Sequence, residues 1–251
     1  MGRFIGFLYG TIVYVFFFGV FLYLIAFVGN ITEFMGIKLP VTRTIDGPGT
    51  YSGAEAYLIN FGLLALFGLQ HSVMARQGFK AKLKGMVGDK MERPTYVLAT
   101  NLLLVLLYWQ WRPIADVVWT FDGFGATLMW VGFTAGWGLI LLSTLLIDHF
   151  ELFGLKQALY HLRGKDLPKY KFVTPLFYKL VRHPLYLGWL LAFWCIPVMT
   201  MGHITLSAVW TIYIFIAISY EEKDLAGVFG KKYTDYQKST PMIIPFTKFK
   251  K

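Results

Sequence analysis

Residues with chemistry to offer gather in two short stretches near the C-terminal end of the chain. Leu180-Val181-Arg182-His183-Pro184-Leu185-Tyr186-Leu187-Gly188 sets a cation, an imidazole and a proline where a basic loop enters an apolar segment. Proline at a first helical turn removes no needed hydrogen bond, so a helix is expected to start at Pro184. Arg182 and His183 then flank a helix N-terminus, whose free N–H groups favour carboxylates and other anions. Taken alone, Arg-His-Pro also reads as an interfacial anchor followed by a helix start. The second stretch, Ser219-Tyr220-Glu221-Glu222-Lys223-Asp224-Leu225, ends another apolar segment with adjacent carboxylates. Such a pair is costly at a membrane boundary unless hydrated or paired. Glu221 is placed to face a cationic ligand, or Arg182, across the intervening hairpin. The plainer alternative is a solvated helix end balanced by lysines.

Four more side chains are candidates for proton transfer. His71 lies inside an apolar segment near its basic end, and Asp148, His149 and Glu151 leave another segment. An ionisable residue within a span is a functional candidate, although a lone histidine also serves by hydrogen bonding a neighbouring helix. Asp148 and His149 are sequence neighbours and point to different faces. A carboxylate-held base would instead need a pair across helices, for instance Asp148 with His71. Cys195 is the only cysteine, which excludes an internal disulfide and a multi-cysteine metal site. In its apolar stretch the thiol stays protonated and unreactive. No two of the five histidines stand three or four residues apart, so no helix-borne metal site is expected.

The elements that carry these groups follow from composition. Of 251 residues, 56% are hydrophobic and 15% charged, against about 25% charged in soluble domains. This excludes a disordered chain and an ordinary soluble enzyme and predicts an integral membrane protein. Six apolar segments, 4–28, 56–75, 94–111, 123–147, 184–201 and 202–220, contain no Asp, Glu, Lys or Arg. A spanning helix needs about 20 residues, so the expected fold is an all-α bundle of five to six transmembrane helices. The last two segments form a C-terminal helical hairpin, with Pro197 bending or shortening its first arm. Leu225, Phe229, Tyr233 and Tyr236 recur at helical spacing, predicting an amphipathic cytoplasmic helix after it. One domain is expected over 1–251, with four spans in 1–147 and the loop, hairpin and tail of 148–251 forming the site.

Formal net charge is +10, and 20 of the 24 basic residues fall in 76–93, 148–183 and the tail 221–251. The positive-inside rule puts those connections and both termini in the cytoplasm. The excess reads as anchoring to anionic lipid rather than as nucleic-acid binding.

The order Arg-His-Pro-x-Tyr-x-Gly at 182–188, a hairpin, Glu-Glu-x-x-Leu at 221–225 and Phe-Gly-x-x-Tyr-x-x-Tyr at 229–236 resembles the C-terminal core of the isoprenylcysteine carboxyl methyltransferase superfamily. Upstream, Leu69-Gln70-His71-Ser72, Arg93-Pro94-Thr95-Tyr96 and Asp148-His149-Phe150-Glu151-Leu152-Phe153-Gly154 are similar to the bacterial methanethiol S-methyltransferases, as is Thr174-Pro175-Leu176-Phe177-Tyr178. The resemblance implies S-adenosylmethionine (SAM) bound on the cytoplasmic side and methyl transfer to a small thiol, methanethiol or hydrogen sulfide, in the bacterial inner membrane. Under it Arg182, His183 and the helix start at Pro184 would take the donor's carboxylate, and Glu221 or Glu222 its ammonium or ribose. Tyr170, Tyr178 and Tyr186 would flank adenine, with Gly188 in the same motif. A thiol must lose its proton to react, which makes His71, Asp148, His149 and Glu151 the candidate bases. Rival readings are a prenylcysteine carboxylate or phospholipid amine as acceptor, and a non-enzymatic accessory protein related to the nitric-oxide reductase accessory family.

Overall fold

The computed structural model describes residues 2–168 and 171–247. In chain order the elements are α1 (Arg3–Gly29), β1 (Glu33–Phe34), β2 (Ile37–Lys38), α2 (Ala54–Ala75), α3 (Gln77–Val87), α4 (Glu92–Gln110), β3 (Val117–Thr120) and α5 (Gly123–Ile147). There follow α6 (His149–Leu152), α7 (Leu155–Arg163), a 3₁₀ turn (Leu176–Lys179), α8 (Pro184–Trp194), β4 (Val198–Thr200), α9 (Met201–Phe229) and α10 (Lys231–Ser239). Short strands aside, the protein is helical.

Four helices, α1, α2, α5 and α9, are long and apolar enough to cross a bilayer, and the protein is an all-α integral membrane protein. The two remaining apolar segments take shorter or more polar forms. α4 has 19 residues and opens on Glu92 and Arg93. α8 has only 11, about 16 Å at 1.5 Å per residue, against a hydrocarbon layer of about 30 Å. It stops three residues before Pro197, which cannot donate a backbone bond and disfavours helix at the residue before it. The first arm of the hairpin is therefore the shortened one. Two connections read from sequence only as basic loops carry helices, α3 and α7. They place Phe79 and Leu83, or Ala158, on an inner face and lysines or arginines outside.

The helices group into two compact units. The first comprises Met1–Val118, Phe150–Pro168 and Thr200–Leu206. In it α1 packs on α4 and α7, and α2 on α4. Val13, Met74, Leu83, Tyr96 and Val97 form a core, and Phe17 stacks on Phe153 with ring centroids 3.8 Å apart. At the other end Asn30 Nδ2 and Thr200 Oγ1 both donate to Asp46, at 2.6 and 2.5 Å.

The second unit comprises Trp119–His149, Lys169–Met199 and Ser207–Lys251. α5 and α8 lie along each other because glycines remove side chains from their crossing. A Cβ on Gly136 would sit 2.6 Å from the Ala192 amide nitrogen, and one on Gly188 2.8 Å from the Gly136 carbonyl oxygen. Small residues that admit backbone to backbone are how helices associate where lipid competes for apolar surface. α8 joins the α9 part of this unit through Trp194 Nε1 donating to Thr211 Oγ1 at 2.9 Å and Ser207 Oγ donating to the Phe193 carbonyl at 2.9 Å.

Candidate functional site

Three departures from plain helix build the polar cluster of the second unit. The expected helix start is present: Pro184 occupies the first turn of α8, with His183 as N-cap. The run of amphipathic residues 225–236 is not one helix, however. Gly230 takes a left-handed φ of 55° and separates α9 from α10, a conformation that costs glycine little. α10 then brings Tyr233 and Gln237, four residues apart and so on one face, back to the end of α9. Finally the tail closes on the Arg-His-Pro segment: Arg182 N–H donates to the Pro241 carbonyl at 2.8 Å and His183 N–H to the Met242 carbonyl at 3.1 Å.

At the centre is Glu222. Its Oε1 accepts from Arg182 Nε at 2.7 Å and from His183 Nε2 at 2.9 Å, and its Oε2 from Gln237 Nε2 at 3.0 Å. Arg182 also donates through Nη1 to the Gln237 and Thr240 carbonyls, at 3.1 and 2.6 Å. Arg182 and His183 are buried and the Glu222 side chain is only 16% exposed. A guanidinium and an imidazole sharing one carboxylate in such surroundings make strong, directional bonds. The carboxylate that meets Arg182 is thus Glu222, the neighbour of the Glu221 that the sequence offered either to a cationic ligand or to Arg182. Arg182 directs Nε and Nη1 to protein acceptors, and its guanidinium thereby orients Glu222.

Aromatic rings wall the cluster. Tyr186 tilts on His183 with centroids 5.6 Å apart, and Phe172 contacts Phe229, Tyr233 and Tyr236. The Tyr236 hydroxyl donates to the Tyr178 carbonyl. Burial, and next the charge of half-exposed Glu221, push the Tyr178 phenol up. Burial does the same at Tyr233, followed by the charges of Glu222 and Glu221. Tyr236 is pushed up to about 12 by burial, with Glu222 adding to it and Arg182 opposing. Each stays a neutral phenol able to donate. Tyr233 is 2% exposed, and among the described residues its hydroxyl has no hydrogen-bond partner.

Of the residues expected at a cofactor site, Arg182, His183, Glu222, Pro184 and Tyr186 come together, with Tyr178 held through Tyr236 and Glu221 beside Tyr178 and Tyr233. Gly188 instead serves the α5–α8 crossing. Tyr170 lies outside the described residues. Sequence reasoning named Tyr233 only within the amphipathic run and passed over Gln237; their shared face on a helix following a glycine was the available signal.

The candidate bases divide between the units. In the first, His71 Nε2 lies 2.8 Å from the Tyr96 hydroxyl and Nδ1 3.4 Å from Thr100 Oγ1. Thr100 Oγ1 already donates to the Tyr96 carbonyl at 3.0 Å, which leaves it to accept from Nδ1–H. His71 thus has a hydroxyl of α4 beside each of its ring nitrogens. Glu151, in the same unit, is buried and paired with Lys156 at 2.6 Å. In the second unit Asp148 ends α5, its N–H donating to the Thr144 carbonyl at 3.1 Å. Thr144 Oγ1 donates to the Leu141 carbonyl and so accepts from His149 Nδ1, 2.8 Å away. Burial lowers the pKa of His149, opposed by the nearby charge of Asp148.

Fold and site together define an all-α integral membrane protein with a buried arginine–histidine–carboxylate cluster where its C-terminal hairpin opens. Comparison with known proteins places it further. The chain is 50% identical over 246 residues to methanethiol S-methyltransferase 1 of Bradyrhizobium diazoefficiens, covering 97% of this chain and 83% of that protein. It is 45% identical to the methanethiol S-methyltransferase of Crocosphaera subtropica (95% and 91% covered) and 40% identical to that of Mycobacterium tuberculosis (98% of both). No family model and no solved structure matches the chain. It belongs to the methanethiol S-methyltransferase family.

Proposed function

We propose that this protein methylates methanethiol to dimethyl sulfide, with SAM as methyl donor bound on the cytoplasmic side of the bacterial inner membrane. The observation that carries the reading is the Glu222 cluster, set among aromatic rings, in a chain up to 50% identical to enzymes named for this reaction. The orphaned Tyr233 hydroxyl tests whether these residues fit the donor. A buried phenol without a partner is destabilising by about 1–3 kcal/mol, and a polar ligand relieves it. Two carboxylates and several aromatic faces suit a molecule whose reactive end is a sulfonium cation.

When bound, SAM supplies an electrophilic methyl group on that sulfonium. Glu222, held by Arg182, His183 and Gln237, offers a carboxylate fixed in place before the ligand arrives, so no reorganisation accompanies binding. Arg182 and His183 act through Glu222. Tyr178, Tyr186 and Tyr236 exclude water and provide flat apolar surface for adenine. An acceptor as small as methanethiol offers almost nothing to grip, so selectivity falls to pocket size and to the group that takes the thiol proton. His71, Asp148 and His149 are the candidates for that group, and Glu151 is weakened by its ion pair with Lys156. A dry site favours the union of opposite charges that follows.

The test is headspace detection of dimethyl sulfide from purified protein given SAM and methanethiol. A product that requires both is expected. Silence with SAM bound would move the acceptor to a prenylcysteine or phospholipid amine, and silence without binding would favour the accessory-protein reading.

A further inference from the structure

Two corners beside the Glu222 cluster are built alike, each with a large apolar side chain where a turn favours glycine. In Thr174-Pro175-Leu176-Phe177, Pro175 has φ −74° and ψ 147°, and Leu176 a left-handed φ of 39°. In Ile244-Pro245-Phe246-Thr247, Phe246 follows the proline with a φ of 62°. Proline followed by a positive φ is the form of a type II turn, whose third position suits glycine. Leucine and phenylalanine are strained there, and packing within the protein does not compensate, because the two side chains are 65% and 75% exposed. Val173, Leu180 and Ile244 are exposed as well. Both corners are tied to the site. The Tyr178 carbonyl accepts from Tyr236, and Arg182 and His183 N–H donate to the Pro241 and Met242 carbonyls.

Level and charge say what covers these corners. A Cβ on Gly132 would meet Cys195, and one on Gly188 would meet Ile140, so α5 and α8 run antiparallel. One turn further along both helices, Pro184 stands level with about Thr144, near the end of the α5 span. Both corners lie within a few residues of the paired segments 182–183 and 241–242, and so near the lipid headgroups. Residues 171–181 and 241–251 contain five lysines and no Asp or Glu. A second copy of this chain would bring the same charge to a symmetric contact, whereas an anionic leaflet opposes it. Apolar tips among lysines match such a surface in both respects.

We propose that the Leu176 and Phe246 corners dock into an anionic lipid leaflet and that this docking holds the frame around Glu222. Anionic lipid then strengthens donor binding, a consequence that rests on the reading of SAM as methyl donor.

The experiment uses the full chain in nanodiscs of phosphatidylcholine with or without phosphatidylglycerol. Nitroxides at Leu176→Cys and Phe246→Cys, in a Cys195→Ala background, should collide more readily with oxygen than with a water-soluble nickel chelate. The opposite preference at either site overturns docking, and spin–spin broadening that reports a second copy seated on the corners does so too. Phosphatidylglycerol should tighten SAM binding in calorimetric titration by about fivefold, the contribution of one lysine at an anionic surface. No gain in the wild type overturns the hold on the frame. In Leu176→Gly/Phe246→Gly the gain should vanish, with affinity in phosphatidylcholine unchanged, and a gain that persists overturns the proposal. Glycine suits both turns, so this variant should unfold in detergent at the same or a higher temperature. A lower one would make the two side chains packing elements and overturn the proposal as well. Lys171→Gln/Lys179→Gln tests the charge separately and should reduce the gain. Wild-type protein that binds no SAM in either disc would overturn the donor reading itself, a distinct result, since the nitroxides still decide docking.

Discussion

Glu222→Gln is the substitution with most to say about the cluster. It keeps shape and one carbonyl oxygen but removes the charge shared by Arg182 and His183 and sets an NH₂ group against a third donor. Glu222 accepts three bonds of 2.7, 2.9 and 3.0 Å, and a glutamine matches at most two of those donors. Breaking a buried pair from one side costs about 3–5 kcal/mol, and the retained oxygen puts the expected loss near the lower end, about 3 kcal/mol. For a chain of this size, each kcal/mol moves the midpoint by about 2–4 °C, so the midpoint should drop by about 6–12 °C. Loss of the preset carboxylate should also weaken SAM binding by about 2 kcal/mol, close to thirtyfold. Tryptophan fluorescence on heating and calorimetry with SAM read the two separately. The double variant Arg182→Met/Glu222→Gln sharpens the test. With no cation left stranded it should recover part of the stability and none of the affinity. An E222Q protein with wild-type midpoint and affinity would refute the view that this carboxylate organises the site.

Gly136→Val should lower the unfolding midpoint through overpacking of about 1–3 kcal/mol, because its Cβ would meet the α8 backbone, while Gly138→Ala, with nothing within 4 Å, should leave it unchanged. Burial holds the His149 pKa below its ordinary 6.5, so the unfolded chain binds the proton more readily. The contribution is complete above pH 6.5 and is lost as pH falls through the lowered folded value. Thermal midpoints should decline on acidification, and His149→Gln should flatten that decline; an unaltered slope would remove His149 from the account. His71→Asn should cut dimethyl sulfide production by about 10²-fold or more, the range for general-base loss, with SAM affinity kept, and full turnover would pass the role of base to Asp148 or His149.

Membrane class, the helix start at Pro184 and the pairing of the Arg-His segment with the acidic end of the hairpin were all legible in the residues. Charge depletion over some 20 residues leaves a chain nowhere to fold but lipid, and proline at a first turn has few other places to stand. The methyltransferase family was legible too, because its two motifs lie at fixed order and distance along the chain. What the residues left open depended on partners remote in sequence. Adjacent glutamates look alike in a string, and only the return of α10 after Gly230 and the closure of Pro241 and Met242 on residues 182–183 decided that Glu222 meets Arg182. The same return buried the Tyr233 hydroxyl without a partner, which periodicity reads merely as one more aromatic on a helix face. His71 gained its hydroxyl neighbours on α4 for a like reason. Propensity and hydropathy are local sums, whereas a hydrogen bond is settled by which surfaces tertiary packing brings within 3 Å.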